Sequence, residues 1–63
     1  MMYKTFLINH GYYVYEGSNQ DMAYIAAAES GFESAVFEFD ENGDRGTVIA
    51  TYSPISGWKS LEF

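Results

Sequence analysis

Cysteine is absent from this chain, so neither a disulfide nor a thiolate metal site can hold it together. Histidine is nearly absent: His10 stands alone, which excludes a histidine-rich metal cage. Basic residues are scarce, with three Lys and Arg against nine Asp and Glu and a formal net charge of -6. No apolar run approaches the ~20 residues a membrane span needs. The stretch Phe6-Leu7-Ile8 is too short for the apolar region of a signal peptide. The expectation is a cytoplasmic protein. Its sign of charge disfavours direct contact with nucleic acid or an anionic membrane, and favours a basic protein or nucleoprotein complex as partner.

What the chain has in place of staples is rings: six Tyr, five Phe and one Trp in 63 residues. Each large ring can bury about 150–250 Å². A chain of this length folds as one domain, residues 1–63, and buries only about 60% of the surface its unfolded form exposes. A partner chain can supply more, so monomer and homodimer both stay open.

Local patterning predicts an α+β fold in the order ββαββ, with four to five antiparallel strands and one helix packed on one face. Tyr3 to Ile8 reads as a first strand and Tyr12 to Glu16 as its hairpin partner across Asn9-His10-Gly11. A three-residue loop sets Phe6 against Val14 and Lys4 against Glu16; a two-residue loop sets Leu7 against Val14. Ser18 is the expected helix N-cap, with Asp21 in the capping-box position and Gly31 beyond the C-terminus. Between them, Asn19 to Ser30 carries Met22, Ile25, Ala26 and Glu29 at helical spacing. The run Ala26-Ala27-Ala28 lets such a helix lie close to a sheet.

Phe32 to Asp40 reads as a strand with Ala35, Phe37 and Phe39 on one face and Ser34, Val36, Glu38 and Asp40 on the other. Asn42-Gly43 is a strong two-residue hairpin signal leading to a return strand, Arg45 to Ser53. That turn pairs Phe37 with Val48, Ala35 with Ala50, Glu38 with Thr47 and Val36 with Ile49. Trp58 to Phe63 forms a short last strand or a packed tail, with Trp58 capping the core.

The chemical motifs are few. Asp40, Asn42 and Asp44 have the first spacings of a calcium loop, but Arg45 and Thr51 stand where its glycine and bidentate glutamate belong. No metal and no cofactor are expected. His10 sits in a turn with no nucleophile motif beside it. A chain this short is not expected to form the pocket of ~300 Å³ that buries a small substrate, and no enzymatic role is expected. The candidate binding residues are therefore Glu29, Glu33, Glu38, Asp40, Glu41 and Asp44 as an acidic recognition face. Tyr13 and Tyr15, on one strand face by alternation, are the candidates for an aromatic interface, with Tyr12 facing away beside Val14.

In size, acidity and layout the chain resembles the small phage-encoded inhibitors of host defence, the anti-CRISPR and antirestriction proteins. The likeness rests on the Ser18-capped helix, the hairpin Phe37-Glu38-Phe39-Asp40-Glu41-Asn42-Gly43-Asp44 and the missing nucleophiles. It implies a non-catalytic DNA-mimic-like inhibitor acting in the host cytoplasm by occluding a basic nucleic-acid-binding complex. The alternative is a structural or regulatory subunit that binds a protein through its aromatic sheet face.

Overall fold

Alternating apolar residues and tight turns build five strands around one helix in the computed structural model, which describes residues 1–42 and 46–61. The elements are β1 (Met2–Leu7), β2 (Tyr12–Gly17), α1 (Gln20–Ser30), β3 (Ser34–Phe39), β4 (Gly46–Ser53) and β5 (Gly57–Ser60). The order is thus ββαβββ: the tail after Pro54 contributes a fifth strand. The strands form one open antiparallel sheet in the order β2-β1-β3-β4-β5, with α1 packed chiefly on β1, β2 and β3.

The first hairpin follows neither simple register. Lys4 faces Glu16 as a three-residue loop requires, but the ladder slips between Thr5 and Phe6, and Phe6 faces Tyr13. Val14 is the extra residue of a β-bulge. A bulge breaks the two-residue period, so Tyr13 and Tyr15 do not share a face. Tyr13 stands opposite Phe6, whereas Tyr15 stands opposite the buried Thr5 on the helix side. The second hairpin slips in the same way. Phe37–Val48 and Glu38–Thr47 pair as expected, then Ile49 is bulged, so Val36 faces Ala50 and Ala35 faces Thr51. The Asn42-Gly43 turn reaches beyond the described residues.

Asn19, and not Ser18, caps the helix. Its backbone is extended (φ -102°, ψ 109°) and its side-chain oxygen accepts from the Met22 amide at 3.1 Å. Asn19 is one residue nearer the first turn and reaches the amide that a cap must satisfy. Gly31 ends the helix in the left-handed region at φ 73°.

The helix buries Ala23 and Ala27, both fully, while Met22 and Ile25 are half-exposed. Small side chains bring its backbone so close to β1 that the Thr5 hydroxyl donates to the Ala23 carbonyl at 2.7 Å. The core beneath is thin. Its buried apolar residues are Tyr3, Leu7, Ala23, Ala27, Val36, Ile49 and Ala50, three of the seven alanine and, among the described residues, none Phe or Trp.

Candidate functional site

Cross-strand partners in an antiparallel sheet share a face, so the ladder sorts every strand residue. Tyr3, Thr5, Leu7, Tyr15, Ser34, Val36, Glu38, Ala50, Tyr52 and Trp58 lie on the helix side. The opposite side, which no element covers, carries three rows. Tyr13, Phe6, Ala35, Thr51 and Lys59 form the first; Glu16, Lys4, Phe37 and Val48 the second; Met2, Phe39 and Gly46 the third.

This open face is mostly apolar. The Phe39 ring lies over Gly46, where an added Cβ would come within 2.6 Å of ring carbons. The Lys4 ammonium rests 4.8 Å from the centroid of Phe39 and 5.3 Å from that of Tyr13, a cation–π contact to each. Phe6 and Tyr13 meet edge to face with centroids 5.1 Å apart. Three of the four described phenylalanines stand here. The alternation Ala35, Phe37, Phe39 already marked this face in the sequence; the roles of Lys4, Phe6 and Gly46 depend on strand order and could not be read there.

The carboxylates are elsewhere. Of the seven in the described residues, only Glu16 is on the open face. Glu38 is half-buried on the helix side of β3, and Asp21 and Glu29 are exposed on α1. Glu33 precedes β3 and accepts from the Asn9 amide at 2.8 Å, while Asp40 and Glu41 are exposed just past its other end. Asp44 lies outside the described residues. At about 3.3 Å per residue, Glu33 and Asp40 are about 23 Å apart along the strand. The five described acids of the candidate recognition face fall toward the two ends of β3, Glu29 and Glu33 at one and Asp40 and Glu41 at the other, with Glu38 nearer the second. Among the described strand residues, both lysines, Lys4 and Lys59, are on the open face, and Glu16 is the one carboxylate beside them.

Two clefts form at the surface, both broadly open to solvent. One of about 330 Å³ lies between α1 and the β4–β5 pair, lined by Tyr24, Ala50, Trp58 and Ser60. Trp58 is 44% exposed there, packed edgewise against Tyr24 and tilted against Tyr52, with centroids 5.1 and 5.0 Å away. It walls the cleft at the sheet's edge and does not seal the core. The other, about 310 Å³, lies at the loop end between Asn9, Phe32, Glu33, Pro54 and Ile55. His10 packs on Phe32 at 4.3 Å, and among the described residues neither cleft has a histidine or a second carboxylate in its lining. Ser30 and Ser34 are occupied at the helix end: the Ser30 hydroxyl donates to the Ala27 carbonyl and the fully buried Ser34 hydroxyl to that of Phe32. Among the described residues no three His, Asp or Glu side chains gather to hold a metal, and no helix is long and apolar enough to cross a membrane.

No protein-family model, no curated protein and no solved structure matches this chain.

Proposed function

We propose that this is a non-catalytic protein-binding domain that engages a basic partner through the carboxylates of its helix side and strand ends. The observation that carries the reading is the placement of charge: Asp21 and Glu29 are exposed on α1, Glu38 is on the helix side of β3, and Glu33, Asp40 and Glu41 lie beyond the ends of β3, while both described lysines are on the open face. A one-signed field on one side of a small domain speeds encounter with a surface of opposite sign and orients the docking. Spaced carboxylates accept the same forked arginine bonds that phosphates do, so a nucleic-acid channel suits them as target. The finer proposal is an inhibitor of the anti-CRISPR or antirestriction kind, which occludes such a channel in a host complex.

The test is capture from nuclease-treated bacterial lysate at low and high salt, beside Asp40→Lys/Glu41→Lys and Glu29→Lys/Glu33→Lys variants. The expected result is a nucleic-acid-binding complex that wild type retains, that salt and either variant release, and whose DNA binding the domain inhibits. A partner indifferent to salt and to both variants would overturn the acidic reading.

The aromatic sheet face supports a second reading, in which a protein partner docks on Phe6, Tyr13, Phe37 and Phe39. Tyr13→Ala would then abolish capture while Tyr15→Ala, on the helix side, acts only through stability.

A further inference from the structure

We propose that the open face of the sheet is covered by a second copy of this chain, giving a two-fold homodimer with its acidic sides turned outward. Three observations converge on that occupant.

The first is the core. Beneath the helix the largest fully buried side chains are Leu7, Val36, Thr5 and Ser34. The larger rings Phe6, Phe37 and Phe39 are on the other side and only partly buried, with Tyr13 43% and Met2 42% exposed beside them. A 63-residue domain without disulfide or metal has little stability to spare. A cover that supplies the missing half of the core must be present whenever the chain is folded, and another copy is the partner always at hand.

The second is charge. Two chains of formal charge -6 repel wherever carboxylates face each other. On the open face Lys4, Lys59 and Glu16 leave a small local positive balance. Lys4 is cross-strand from Glu16 and held against two rings, so its charge is partnered before any second sheet arrives. On this side each copy brings one described carboxylate, Glu16, already set against Lys4, so two copies approach with the least opposed charge.

The third is area. The three rows of five, four and three residues, at about 4.8 Å between strands and about 6.6 Å between same-face neighbours, cover about 400 Å² in plan. Two such faces bury about 800 Å² before the relief of the rings is counted, the low end of specific interfaces and that of a dimer that dissociates in the micromolar range. Face-to-face sheets pack about 10 Å apart, and Phe39 laid over Gly46 lowers the relief at that corner of the face. An isologous pairing of this kind closes on itself and leaves no further open face.

The experiment is sedimentation equilibrium of the full chain from micromolar to submillimolar concentration, with thermal unfolding across the same range. Wild type is expected at twice its 7.1 kDa mass, with a Tm that rises with concentration. Phe37→Glu is expected to shift the mass to the monomer. Val48→Lys, at a smaller side chain on the same face, serves if Phe37→Glu does not fold, and should weaken dimerisation at least tenfold. A 7.1 kDa species with a concentration-independent Tm would overturn the proposal. So would a dimer that survives both substitutions, which would place its contact at an edge strand. Neither result bears on the acidic reading, whose carboxylates lie on the helix side and at the strand ends, whereas a dimer on this face would exclude the second reading, in which a different protein docks there.

Discussion

Three consecutive alanines, Ala26, Ala27 and Ala28, are chemically identical, yet the fold assigns them different environments. Ala27 is fully buried against the sheet and Ala28 is exposed. Replacing each with leucine adds the same three carbons at almost the same helix propensity, so propensity cancels in the comparison. At position 27 the added carbons enter a helix–sheet contact already close enough for the Thr5 hydroxyl to reach the Ala23 carbonyl one turn earlier at 2.7 Å. Overpacking of this kind costs about 1–3 kcal/mol. The unfolding entropy of a 63-residue chain is about 130 cal/mol/K near the midpoint, so each kcal/mol moves Tm by about 7 °C. Ala27→Leu should therefore lower Tm by about 15 °C, and Ala28→Leu should change it by no more than about 4 °C, the range of an ordinary surface substitution. Thermal and urea unfolding followed by circular dichroism measure both. Equal effects, or a larger loss at Ala28, would refute the placement of the helix on the sheet.

Asn19→Ala should cost about 1 kcal/mol by freeing the Met22 amide, and Ser18→Ala should stay within about 0.5 kcal/mol; chemical denaturation separates them. Gly31→Ala should cost about 1 kcal/mol from the left-handed backbone alone, because nothing lies within 4 Å of the added Cβ. Gly31→Asn should recover part of that loss in the same denaturation assay. Thr5→Val keeps the shape but removes the hydroxyl that ties β1 to α1, and should cost about 1 kcal/mol. Hydrogen exchange should then speed up in α1 more than in β3.

The elements themselves were legible in the sequence. Tyr-Tyr-Val-Tyr and Ala-Val-Phe-Glu-Phe are strand formers, the alanine run favours helix, and Gly31 stops it. What failed was phase. Val14 and Ile49 each add one residue to a ladder, and alternation counted along the chain has no means of detecting an inserted residue. That one step is why Tyr15 turns to the helix side and leaves Tyr13 alone with Phe6. The cap was misplaced by one because Ser18 and Asn19 are both good caps, and only the path of the chain out of β2 chooses between them. Met22 and Ile25 are the apolar residues on a helix whose packed stripe is alanine, so hydrophobicity pointed to the wrong side. The division of the acids follows from the length of β3, since six extended residues separate Glu33 from Asp40. Which side of the sheet is bare depends on where the helix crosses, a matter of tertiary packing.

The most direct measurement is the association rate with the captured partner at low salt for two charge changes of known position. Glu29→Lys/Glu38→Lys alters the helix side, and Glu16→Lys alters the open face. Each is first checked by circular dichroism for intact folding. The account predicts that the helix-side pair slows association at least tenfold and that Glu16→Lys leaves it unchanged. An equal loss from Glu16→Lys, or no loss from the pair, would contradict the claim that the carboxylates of the helix side and strand ends carry the binding.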